Sequence, residues 1–267
     1  MNNLIVAFAL TLFAGLSTGI GSTLAFFTKK TNTKFLAVSL GFSAGVMIYV
    51  SMIEIFFKAK DSLVSEFGIK MGSWITVIAF FGGMFLIALI DKIIPSYENP
   101  HEFHEMKDIG EGKNGVDSNL MRMGTFTALA IAIHNFPEGL ATFTAALKEP
   151  TIAVPITVAI AIHNIPEGIA VSVPLYFATG DRKKAFIYSF LSGLSEPLGA
   201  FIGYLILLPF ISDSTFGILF AAVAGIMVFI SLDQLLPAAE KYGEHHLSIY
   251  GLIFGMIVMA VSLLLFI

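Results

Sequence analysis

Long apolar runs dominate this chain, and short polar intervals separate them. Runs of roughly 20 or more residues, the length a helix needs to cross ~30 Å of hydrocarbon, fall at about 4–28, 35–57, 72–94, 121–147, 151–178, 185–211, 215–238 and 247–267. The pattern predicts an all-α integral membrane protein with eight transmembrane helices in a single polytopic domain over 1–267. Glycine and proline inside the runs do not demote them, because neighbouring helices re-satisfy the backbone in lipid. The sizeable polar segment spans about 91–120, with the loop proper at about 95–120, and its composition predicts a flexible loop.

Composition agrees with this reading. With 56% hydrophobic and 13% charged residues and a mean hydropathy of +0.85, the chain has too little polar surface for a soluble globule of its size. The net charge of −4 and the lack of a basic tract exclude a nucleic-acid partner. Cysteine is absent, so disulfides and thiolate ligands are excluded, and any metal site must be built from His, Asn and carboxylate. The first apolar run follows Met1-Asn2-Asn3 with no basic residue ahead of it and is too long for a signal-peptide core. It is expected to be a retained spanning helix.

Positive charge gives the orientation, since Lys and Arg prefer the cytoplasmic side. With the N-terminus outside, all of the 15 Lys and Arg except Lys58, Lys60, Lys70 and Lys148 fall on inner loops. Both termini are therefore expected outside a multi-pass cell-membrane protein, with the acidic, His-containing loop inside.

Two internal repeats narrow the architecture. AIAIHNFPEGLA at 130–141 recurs as AIAIHNIPEGIA at 159–170, and AGVMIYVSM from Ala44 recurs as AGIMVFISL from Ala224. Each pair lies on helices expected to cross in opposite directions, the fourth with the fifth and the second with the seventh. This predicts inverted-topology repeats, helices 1–3 against 6–8 and helix 4 against 5. Transporters built this way hold their sites near the bilayer midplane.

The repeats also carry the chemistry. His134 and Glu138 are one turn apart on one helix face, and His163 and Glu167 repeat the arrangement on the next. Asn135 and Asn164 lie close to the same faces. All sit about halfway along their segments, where an ionised carboxylate costs at least ~2.5–3.5 kcal/mol. Pro137 and Pro166 remove amide donors, free the carbonyls of Ile133 and Ile162 and are expected to kink both helices beside these side chains, while Gly139 and Gly168 allow close approach. The sixth run adds Ser192, Ser195, Glu196 and Pro197, and Glu196 is expected to face the same cavity. Imidazole with carboxylate suits zinc, iron, cobalt, nickel and manganese; calcium and magnesium prefer all-oxygen shells. The rival for each of these groups is a hydrogen-bonding strut or a helix kink, and the doubling of the pattern weighs against it. Glu54 and Asp233 are expected near opposite mouths, to draw cations or simply to meet headgroup water. His101, Glu102, His104 and Glu105, with Glu244, His245 and His246, are either transient metal holders or solvated loop residues.

The doubled HNxPEG, 134–139 and 163–168, resembles the paired motifs of the ZIP metal transporters, and the resemblance to their bacterial branch covers the whole chain. It implies uptake of divalent metal, zinc first with iron, manganese and cobalt, by a homodimer in lipid whose mobile helices slide as an elevator. It also implies two adjacent metal positions: His134, Glu138, His163 and Glu167 at the first, and Asn135, Asn164 and Glu196 at the second, with the two motif glutamates bridging. The ion is cargo rather than cofactor, and the protein is expected not to be an enzyme. Two rivals remain at this level: an intramembrane zinc metallohydrolase, which lacks HExxH here, and a passive cation channel.

Overall fold

The computed structural model describes residues 2–23, 26–27, 32–93, 118–148, 150–207, 212–242 and 245–265. The histidines and glutamates expected in the long loop, His101, Glu102, His104 and Glu105, lie outside the described residues, as does Glu244. Among the described residues the secondary structure is helical and no strand is present. The helices are α1 (Asn2–Thr23), α2 (Thr33–Val50), α3 (Phe56–Ile93), α4 (Ser118–Lys148), α5 (Pro150–Thr179), α6 (Arg182–Gly193), α7 (Ser195–Ile202), α8 (Asp213–Ile230), α9 (Leu236–Tyr242) and α10 (His245–Leu264). One-turn π segments at Ser51–Ile55 and Ser231–Leu235 carry α2 into α3 and α8 into α9, and a third, Gly203–Leu207, extends α7.

Helix starts follow local chemistry. The side chains of Asn32, Asp181 and Ser212 accept from the amides of Phe35, Lys184 and Thr215, at 3.1, 3.1 and 3.2 Å, which satisfies donors the first turn leaves open.

Five helical stretches among the described residues are long and apolar enough to cross a membrane: Asn3–Thr23, Thr33–Ile90, Arg182–Leu205, Ser214–Lys241 and His245–Leu264. Their outward faces are apolar and uncovered. On α3, Trp74, Ile78, Phe81, Phe85 and Leu89 form an exposed stripe at helical spacing, far more apolar surface than a soluble monomer presents to water. The interior is where the polar groups are. Thr11, Ser51 and Ser231 are fully buried, and each hydroxyl returns to its own helix by donating to a carbonyl four residues back, at 2.9, 2.6 and 2.8 Å. This is an integral membrane protein.

The apolar pattern and the backbone part company at two places. The polar interval at 58–71 is helical on both sides of Gly68, where φ is +77° and the chain reverses. Polar residues propagate a helix as readily as apolar ones once it leaves hydrocarbon, so hydropathy alone ends the helix too early; glycine is what admits the left-handed backbone. Lys58 pairs with Glu54 one turn earlier on this extension. The sixth run divides at Leu194, because Pro197 has no amide to donate to the Gly193 carbonyl. α4 and α5, in contrast, run continuously through Pro137 and Pro166, and Ser43 of α2 donates to the Pro166 carbonyl at 2.7 Å.

Packing sorts the helices into two sets. α1, α4, α5, α6 and α7 pack on one another, while α2 pairs with α10 and α3 with α8. Glycine lets these pairs touch backbone to backbone: a side chain at Gly45 would strike the Leu252 carbonyl, one at Gly225 the Phe80 carbonyl, and one at Gly83 the Ala222 carbonyl. Such small-residue contacts replace the hydrophobic drive that lipid does not supply. Adjacent Gly82 meets open space.

Gly83→Leu is therefore expected to cost about 1–3 kcal/mol and lower the thermal midpoint in detergent, whereas Gly82→Ala leaves it unchanged or slightly raised. Equal effects of the two substitutions would contradict this packing.

Candidate metal site

α4 and α5 pack on each other inside the first set, and three of the side chains singled out by the repeats meet between them. His134 and Glu138 project from one face of α4, Glu167 comes from α5, and all three are buried, His134 and Glu167 completely. His134 Nε2 donates to Glu167 Oε1 at 2.7 Å. One ligand atom from each of the three lies within 4.8 Å of the others, close to the ~4 Å that two bonds of ~2.0–2.2 Å to zinc allow. His163 stands on α5 one turn before Glu167, but its side chain lies outside the described residues.

A second polar group adjoins the first. Asn164 Nδ2 donates to the Ala14 carbonyl of α1 at 2.9 Å and to Glu196 Oε2 of α7 at 2.7 Å. One amide thus ties three helices together. Glu196 is fully buried at the start of α7, and neither its Oε1 nor Asn164 Oδ1 has a hydrogen-bond partner among the described residues. The same holds for both amide atoms of Asn135, itself fully buried. Unpaired buried oxygens are costly. Such oxygens are acceptors of the kind a divalent ion takes.

The backbone is drawn in beside these groups. A side chain at Gly139 would collide with the Glu196 carbonyl and one at Gly199 with the Phe136 carbonyl, so α4 and α7 touch at the site. Glu138 and Pro137 border a small cleft whose other walls are Ile55, Leu219, Phe220 and Val223, residues of the second helix set.

The remaining sequence candidates are elsewhere. Glu54 and Asp233 each occupy a π segment, and Glu54 is engaged by Lys58. His245 and Glu240 form an exposed pair at 3.0 Å, and the His245 ring meets His246 edge-on while His246 stacks on Tyr250. Hydropathy reading passed over Ser43, which crosses from α2 to the Pro166 carbonyl. A serine inside an apolar run is a weak signal, because such hydroxyls commonly bond back within their own helix.

Residues 92–263 match the family model described as the ZIP zinc transporter. The chain belongs to the ZIP family. It is 67% identical to a protein named zinc transporter ZupT from Clostridium perfringens, over 100% of this chain and 98% of that one. Proteins of the same name from Oceanobacillus iheyensis and Chlorobium chlorochromatii are 65% and 64% identical, each over 99% of both chains. This ZIP protein is thus of the ZupT type, and ZIP proteins are transporters, not enzymes, which sets aside the metallohydrolase alternative.

In this ZIP chain Asn164 is the only described donor to Glu196, so Asn164→Leu strands a buried carboxylate. The substitution is expected to destabilise the protein by about 1–3 kcal/mol or more, read as a lower thermal midpoint in detergent. An unchanged midpoint would show that Glu196 is held by something else.

Proposed function

We propose that this ZIP protein takes up divalent transition-metal ions into the cytoplasm across the cell membrane, zinc foremost, with iron, manganese and cobalt as further substrates. The observation that carries the reading is the buried cluster of His134, Glu138 and Glu167 inside a bundle whose outer surface is apolar. Ionisable residues at such depth are expensive and mark an ion path by default. Imidazole with carboxylate favours transition metals over calcium and magnesium, and the relatives' name, zinc transporter, agrees.

In this proposal His134, Glu138, His163 and Glu167 hold one ion. Asn135, Asn164 and Glu196 form a second position, with Glu138 and Glu167 bridging the two. The ion is cargo, and no resident cofactor is called for. Transport proceeds as an elevator in which α1 and α4–α7 carry the site past α2, α3 and α8–α10. Two features support this division. Two hydrogen bonds between described residues cross the boundary, Ser43 to the Pro166 carbonyl at 2.7 Å and Thr127 to Gln234 at 3.0 Å, and both are neutral, so breaking them separates no charge. The cleft beside Glu138 lies at the same boundary.

The proposal includes eight spans, with the reversal at Gly68 separating the second from the third, and inverted repeats relating helices 1–3 to 6–8 and helix 4 to 5. Support for the repeats comes from matching details. The π segments begin at equivalent serines, Ser51 and Ser231, which bond equivalent carbonyls, Met47 and Met227. Gly45 abuts Leu252 of α10 as Gly225 abuts Phe80 of α3. A homodimer in lipid with both termini outside completes the reading, the latter on the distribution of Lys and Arg.

Purified protein in liposomes is expected to accumulate radiolabelled zinc and to show counterflow, which a passive channel does not. His134→Ala and Glu138→Ala should insert and fold yet reduce uptake to background. Unchanged uptake by either variant would remove the site.

A further inference from the structure

The contacts around the metal site repeat themselves under an exchange of α1 with α6–α7 and of α4 with α5. Gly139 abuts the Glu196 carbonyl as Gly168 abuts that of Thr18, and Gly199 abuts the Phe136 carbonyl as Gly21 abuts that of Ile165. Gly15 and Gly193 abut each other's carbonyl oxygens, as residues on a twofold axis do. The sequence agrees: Gly15, Leu16, Ser17 and Gly21 recur at the same spacing as Gly193, Leu194, Ser195 and Gly199. In this correspondence the counterpart of Glu196 is Thr18, that of Ala14 is Ser192, and that of Asn164 is Asn135.

The two halves are bonded differently. Asn164 donates to the Ala14 carbonyl and to Glu196. The equivalent Asn135 makes neither bond, and Thr18 Oγ1, also fully buried, has no hydrogen-bond partner among the described residues. Two polar atoms of Asn135 and one of Thr18 thus lack partners among the described residues, whereas on the other side Asn164 bridges Ala14 and Glu196 and leaves one oxygen of Asn164 and one of Glu196 open. Thr18 Oγ1 lies 2.7 Å from the position that a side chain at Gly193 would take. Its Cβ lies at the same 2.7 Å, so the Thr18 side chain packs into the α1–α6 contact beside Gly193.

We infer that Thr18 lines the Asn135 side of the metal site and supplies its hydroxyl oxygen to the bound divalent ion or to a water on it, as the neutral counterpart of Glu196. The inference rests on the metal-site reading above. It assigns the two halves different chemistry: a carboxylate and a fixed amide on the Asn164 side, a hydroxyl and a free amide on the Asn135 side. Because Thr18 contributes oxygen without charge, it serves harder ions such as manganese more than zinc, for which imidazole suffices.

The chain has no cysteine, so Thr18→Cys places a single thiol at the position in question. Cobalt(II) added to this variant in lipid nanodiscs is expected to give a thiolate-to-metal charge-transfer band that the parent lacks. The band should be displaced by zinc and lost when Glu138→Ala is added. Cobalt binding without such a band, or a band that survives Glu138→Ala, overturns the inference. If the parent itself binds no cobalt or zinc by calorimetry, it is the metal-site reading that fails.

A second readout does not depend on the thiol. In liposomes Thr18→Val should raise the KM for manganese by about fivefold, the ratio expected for one lost neutral polar contact, with a smaller rise for zinc and little change in kcat. Thr18→Ser should recover most of the loss. Equal defects in Val and Ser variants, or none in either, would show that Thr18 only packs.

Discussion

A carboxylate buried inside a membrane helix bundle has no bulk water to turn to, and the rest of this structure can be read as the answer to that constraint. Glu138, Glu167 and Glu196 all point inward and are buried. To face one another they require α4, α5 and α7 to converge, with α1 behind them offering the Ala14 carbonyl to Asn164. Convergence this tight is sterically possible because glycine stands where the backbones meet, at Gly139 against the Glu196 carbonyl and Gly199 against that of Phe136. The packing that builds the bundle and the packing that builds the site are therefore the same contacts, and a substitution at either glycine would disturb both.

The division of labour between the two helix sets follows from the same constraint. Polar atoms are concentrated where α1, α4, α5 and α7 meet, whereas the boundary toward α2 and α8 is lined largely by Ala, Val, Met and Ile, with Ser43 and Thr127 as isolated polar bridges. An apolar boundary re-forms after a shift without exposing unpaired polar groups. A polar cluster does not, so in the proposed slide it moves as a unit. The π segments at Ser51–Ile55 and Ser231–Leu235 sit on the stationary side of this proposed slide, each with its leading serine bonded back to the preceding turn. Such bulges are common at functional sites.

Hydropathy made the broad architecture legible because twenty apolar residues in a row have few other uses. The doubled HNxPEG did the same for the site, since helical spacing alone puts His134 and Glu138 on one face and Glu167 on the neighbouring helix. What hydropathy could not show is where the backbone departs from a plain helix. The extension at 56–68 is polar yet helical, the reversal depends on one glycine, and the π segments add a residue per turn without any change in composition. The partner of Asn164 was hidden for another reason: it spans Ala14, Asn164 and Glu196, three positions joined only by the fold. Thr18 went unremarked because one threonine in an apolar run is usually a helix-bonded side chain, as Thr11 is.

The most direct test of the account is to see the ion itself. Crystals or lipid-embedded crystals of zinc-soaked protein, measured above and below the zinc absorption edge, should give an anomalous peak bounded by His134, Glu138 and Glu167, with bonds of about 2.0–2.2 Å and any second peak toward Asn164 and Glu196. A protein that binds zinc in solution but shows its peak only at His245 and Glu240, or nowhere inside the bundle, would contradict it.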